Sequence, residues 1–97
     1  MKILCAAIHF DDGEIHYHTP KNIKTGFVMC GHRHHNCFAS LAATVSKEQF
    51  VQIKNGNVQG FLTDTNEFVS RKDGAIIAKL AGQCKDDVEI LFSEDLY

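Results

Sequence analysis

Phe27-Val28-Met29-Cys30-Gly31-His32-Arg33-His34-His35-Asn36-Cys37-Phe38 is where the chain changes period. Gly26 to Cys30 reads as a short strand, and Gly31 breaks it. From Arg33 onward, His34, Cys37, Phe38, Leu41, Ala42 and Val45 recur at helical spacing. That stripe predicts a helix ending near Ser46 or Lys47.

Upstream, Ile3 to Phe10 is almost continuously apolar, as a well-buried strand should be. Asp12-Gly13 signals a hairpin, with Glu14 to His18 as the expected returning strand and Thr19-Pro20-Lys21-Asn22 as a loop. Downstream, Phe50 to Lys54 and Asn57 to Thr63 flank Asn55-Gly56, a favourable type I′ turn, and predict a second hairpin. A competing reading of the same region takes Ser46-x-x-Gln49 as the cap of a further helical turn. Asp64-Thr65-Asn66 then turns the chain into Glu67-Phe68-Val69. Ser70 is placed to cap a helix, with Asp73 three residues on, Ile76, Ile77 and Leu80 as its expected buried stripe, and Gly82 as its stop. Val88 to Phe92 is expected to be extended. The fold class expected for the single domain 1–97 is α+β: a mainly antiparallel sheet of hairpins with two helices packed on one face.

The chain has 97 residues, 44% of them hydrophobic, which allows a modest core but little room for a deep private pocket. Pockets shared between copies in a homo-oligomer are therefore expected. The formal charge is −2 and there is no basic run, which argues against a long nucleic acid as partner. Asp86, Asp87 and Glu89 read as solvated surface. The apolar N-terminal run is brief and closes on His9-Phe10-Asp11-Asp12-Gly13, so it reads as a strand rather than a targeting segment. No stretch reaches membrane-spanning length, and the expected location is the cytoplasm, with Cys5, Cys30, Cys37 and Cys84 reduced.

The chain has two arginines, and both stand where a helix should begin. Helix N-termini favour anions, and arginine binds phosphate through a planar fork of donors. Arg33 and Arg71 therefore point to a small phosphorylated ligand. Phe61 or Phe68 could stack on a base, while Asn36, Gln83 or a C-terminal carboxylate could meet sugar hydroxyls. For each aromatic the simpler role is core packing, and for His34, on the apolar stripe, it is a satisfied half-buried histidine. Three chemical alternatives compete. Cys30-x-His32, His34-x-x-Cys37, His16 and His18 offer metal ligands, but no Cys-x-x-Cys pair accompanies them. Cys37 with a histidine could be a nucleophile, yet it lies on the buried stripe. His34, His35 and Arg33 could cleave a phosphodiester, but no nucleophile or metal triad completes that set. No cofactor is expected.

A series of motifs adds to this reading: Arg33-His34-His35-Asn36-Cys37, Gln59-Gly60-Phe61-Leu62-Thr63, Phe68-Val69-Ser70-Arg71, Ala75-Ile76-Ile77-Ala78, Ala81-Gly82-Gln83 and Leu91-Phe92-Ser93-Glu94-Asp95-Leu96-Tyr97. In this order they resemble a group of small phage and prophage proteins and, within it, the first family of Thoeris anti-defence proteins, sponges for cyclic ADP-ribose signals. The resemblance implies a protein that captures a glycocyclic ADP-ribose isomer without cleaving it, and so is not an enzyme. It implies dimers or larger oligomers with pockets near subunit boundaries, and in some members a separate site for cyclic oligonucleotides. It also implies ligand contacts at Arg33, Phe61, Arg71 and Asp95. Combined with the residue reading, Arg33 and Arg71 would hold a pyrophosphate beside His34. Phe61 or Phe68 would stack on adenine, and Asp95 or Asn36 would fix ribose hydroxyls. The runner-up is a small histidine-dependent phosphodiesterase or metal-assisted hydrolase of nucleotides.

Overall fold

The apolar run Ile3–Phe10 forms β1, the central strand of a four-stranded antiparallel sheet ordered β2-β1-β3-β4. The structure is a computed structural model that describes residues 1–54, 56–84 and 88–96. β2 spans Phe27–Gly31, β3 Asn57–Thr63 and β4 Phe68–Ser70. Three α-helices accompany them: α1 His34–Thr44, α2 Lys47–Lys54 and α3 Arg71–Leu80, followed by a 3-10 turn at Ser93–Asp95. The α+β class holds, with one more helix than the sequence suggested.

Alternation along the strands separates the two faces of the sheet. Ala6, Ile8, Phe10 and Phe61 point toward the helices and form the core with Cys37 and Leu41 of α1, Ala75 and Ala78 of α3, and Leu91. α3 buries its small side, Gly74, Ala75 and Ala78, while Ile76 is 56% and Leu80 84% exposed. Of the expected stripe, Ile77 packs against the core as expected, whereas Ile76 and Leu80 do not. A Cβ at Gly74 would stand 3.1 Å from the Phe61 ring, so the helix sits too close to β3 for large side chains between them. Gly82, at φ +72°, ends α3 as expected. The Gln83 N–H donates to the Ala78 carbonyl and the Gly82 N–H to the Lys79 carbonyl, which satisfies the last turn.

Two expected strands are absent. Glu14 to His18 does not pair with β1; Phe10 faces Phe27 instead. Ile15 and Tyr17 are 81% and 91% exposed, so burial offers that segment no reason to extend along the sheet. Local bonds shape it: His16 reaches Asp12 at 2.7 Å and packs its ring edge-on to Phe27. Residues 11–26 instead run past the sheet to its far edge, where Asn22 bonds both the N–H and the carbonyl of Phe68. Phe50 to Lys54, expected as a strand, lies within α2. Ser46 and Gln49 exchange side-chain and backbone bonds in a capping box, which favours the helix, as the competing reading supposed. Val88 to Phe92 pairs with no strand; the Leu91 N–H donates to the Arg71 carbonyl and ties this segment to α3. Asn55, Asp86, Asp87 and the C-terminal Tyr97 lie outside the described residues.

Candidate functional site

β2 ends at Gly31, with two residues between it and α1, and β4 passes from Ser70 directly into α3. Both helices therefore start at the sheet, and their first residues meet. His34 opens α1 and Arg71 opens α3; Arg71 Nη2 lies 3.4 Å from His34 Nδ1. The other imidazole nitrogen, Nε2, is 2.8 Å from the Gly60 carbonyl of β3. A carbonyl can only accept, so Nε2 carries the proton and Nδ1 is left to accept from the guanidinium. Burial, reinforced by the positive Arg71, pushes the His34 pKa below its ordinary value, outweighing the opposing pull of the Gly60 carbonyl and Glu94. The ring is neutral and fixed.

Arg71 is held on three sides. Its Nη2 donates to Gln59 Oε1 at 2.6 Å, its guanidinium carbon lies 4.7 Å from the centre of the Phe92 ring, and its carbonyl accepts from Leu91. Its Nε is buried with no hydrogen-bond partner, and no carboxylate among the described residues forms an ion pair with it. Phe92, 46% exposed, is itself positioned by Asp95, whose carboxylate accepts the Phe92 N–H at 2.9 Å. A guanidinium at a helix N-terminus opposes the macrodipole. Two such termini converge here around one such cation.

The remaining candidate residues divide. Arg33 is the N-cap of α1, half-buried, and Asn36 closes that cap by accepting the Arg33 N–H at 3.0 Å. Phe61 is fully buried with its ring edge-on to His34, so it forms the wall behind the imidazole and offers no open face for a base. Phe68 lies on the opposite side of the sheet against His9, away from Arg71, because Leu62 is its cross-strand partner and Val69 is that of Phe61. Asp95 acts through Phe92. Gln59 and Phe92 were missed by the sequence reading. Gln59 was within reach of it, since a residue two before Phe61 on a strand must share its face. Phe92 was not, because its approach depends on a segment with no regular period.

The chemical alternatives find little support in this geometry. Cys37 packs its sulfur at 3.7 Å from the Ala6 carbonyl and 3.6 Å from that of Arg33, and burial raises its pKa to about 11. Such a thiol is a poor nucleophile at neutral pH. No group of three or more His, Cys, Asp or Glu that could hold a metal ion occurs among the described residues.

A family model described as phage T4 y16D protein matches residues 2–97. The chain belongs to that family. No curated protein and no solved structure matches it. For this phage family the match covers both helix N-termini and the segment that carries Phe92, so the whole site falls within the family's span. No helix among the described residues is long and apolar enough to cross a membrane.

Proposed function

We propose that this protein is a phage-encoded anti-defence sponge. It binds an immune signalling nucleotide, a cyclic ADP-ribose isomer or a cyclic oligonucleotide, and sequesters it without cleavage. The observation that carries this reading is Arg71: a guanidinium with no carboxylate partner among the described residues, set where the N-termini of α1 and α3 meet. Helix termini and arginine both favour a phosphate-bearing anion. Arg33, at the cap of α1, supplies a second cation for a pyrophosphate. Phe92 takes the stacking role that the sequence reading gave to Phe61 or Phe68, because it is the aromatic beside Arg71 that remains accessible.

Binding without cleavage is favoured over the phosphodiesterase alternative by the state of His34. Both ring nitrogens are engaged, one with Gly60 and one with Arg71, and the ring is buried. An acid–base catalyst must exchange a proton with its substrate, whereas this imidazole holds a structural tautomer. Self-assembly, also part of this reading, would use apolar residues left exposed on α3, such as Ile76 and Leu80.

The deciding experiment is a thermal-shift panel of cyclic ADP-ribose isomers and cyclic di- and trinucleotides, followed by heat release and chromatography of any hit. A stabilising ligand recovered intact supports the sponge. Recovery of cleaved ligand replaces it with a hydrolase, and no shift with any nucleotide removes both.

A further inference from the structure

On the sheet face away from the helices, Cys5 of β1 and Cys30 of β2 lie side by side. Ala7 is the direct partner of Cys30 and Ala6 that of Gly31, which makes Cys5 and Cys30 diagonal cross-strand neighbours. Cys30 and the Gly31 N–H are the hydrogen-bonding neighbours that favour a thiolate at Cys5. Cys30 is exposed and Cys5 half-buried, so a small reagent can reach the pair. Cys37 and Cys84 are buried.

We propose that Cys5 and Cys30 form an oxidisable dithiol, which a hydroperoxide converts into a cross-strand disulfide joining β1 to β2. The two donors stabilise the Cys5 thiolate and lower its pKa to about 7, whereas the same contact drives that of Cys30 far upward. Cys5 is therefore the attacking sulfur. Its thiolate attacks a peroxide oxygen, the O–O bond breaks, and the leaving oxygen takes up a proton, as water when the oxidant is hydrogen peroxide. The sulfenic acid left on Cys5 is then attacked by the Cys30 sulfur. The S–O bond breaks, and the hydroxyl leaves as water with the Cys30 proton. Two thiols lose two electrons in total, and one hydrogen peroxide becomes two waters. This site is independent of the nucleotide reading, because it lies on the other face of the sheet from His34 and Arg71.

The test treats the full chain with hydrogen peroxide, measures intact mass, and maps the disulfide in a non-reducing digest. The expected result is a loss of two hydrogens, one Cys5–Cys30 link, and Cys37 and Cys84 alkylated only after unfolding. In Cys30→Ser the resolving thiol is gone, and dimedone should trap a sulfenic acid at Cys5. Cys5 and Cys30 surviving as thiols would overturn the proposal, as would a link through Cys37 or Cys84 or one between two molecules. The wild-type map alone decides the matter if Cys30→Ser does not fold.

Discussion

Arg71 Nη2 stands 3.4 Å from His34 Nδ1, so the first residue of one helix supports the first residue of another across β3. The contact is possible only because the His34 ring is neutral and turns its unprotonated nitrogen toward the guanidinium. Behind the pair, Gly60 and Gln59 of β3 fix one atom of each. Three residues from two elements thus hold the Arg71 cation in place, and a held cation binds an anion with little further ordering cost.

Replacing Arg71 should separate binding from folding. Arg71→Ala removes a positive charge from a helix N-terminus, which relieves an unfavourable dipole interaction, and loses the bond to Gln59; the net change in stability should stay near 1 kcal/mol. Its response to whichever nucleotide stabilises the wild type should vanish. Arg71→Lys keeps the charge but not the planar fork and should retain only part of the response. Thermal-shift titrations of the three proteins side by side check this, and an unchanged response in Arg71→Ala would move the binding site elsewhere.

His34 should make stability pH-dependent in a stated direction. Its pKa in the folded protein lies below the ordinary 6.5, so the unfolded chain takes up a proton first as pH falls. The stabilising contribution is complete above the unfolded value and is lost progressively as pH drops from there through the lower folded value. Denaturant midpoints measured across this range should fall more steeply for wild type than for His34→Gln, which cannot titrate. Parallel profiles would mean that His34 takes up its proton as readily in the folded protein as in the unfolded chain, and that its pKa is not lowered.

Much of this arrangement was legible in the sequence. Ile3 to Phe10 and Asn57 to Thr63 were delimited by their own apolar patterns, and Ser70 and Gly82 bounded α3 by cap chemistry that needs no tertiary context. The segments that failed are those where two local signals compete or tertiary packing chooses. Asp12-Gly13 is a good turn, but the Ile15 and Tyr17 face that follows it is left exposed rather than packed on the sheet. In α3 Ile76, Ile77 and Leu80 were assigned to the core, whereas the fully buried side is Gly74, Ala75 and Ala78, with Phe61 and Leu91 close against Gly74, and of the three only Ile77 packs on it. At the site, two helix starts were visible, but their meeting was not, since it depends on the sheet order.

Ser46 decided one of those competitions and can be tested alone. Its hydroxyl accepts the Gln49 N–H at 3.2 Å, while Gln49 Oε1 accepts the Ser46 N–H at 3.1 Å. Ser46→Ala should destabilise by about 1 kcal/mol, the usual cost of losing such a cap. The effect should concentrate in α2, so hydrogen exchange should quicken at Phe50 to Ile53 and stay unchanged in β1 and β3. Uniform acceleration would show that α2 unfolds only with the whole domain.

Two glycines separate backbone strain from crowding. Gly82 sits at φ +72° with open space around the position of a Cβ, so Gly82→Ala should cost only the left-handed conformation, about 1 kcal/mol. Gly60 has an ordinary extended backbone, but a Cβ there would strike the Val69 carbonyl and lie 2.8 Å from Phe68 Cζ. Gly60→Ala must push β4 off β3 and displace the Phe68 ring, at about 3 kcal/mol, the upper range for overpacking. Because the Gly60 carbonyl also anchors His34, that variant should weaken ligand response as well as stability, while Gly82→Ala leaves the response intact. Urea melts combined with nucleotide titrations distinguish the two. Equal losses of stability would show that the β3–β4 contact yields readily, and the anchoring of His34 would then have to be tested by the response alone.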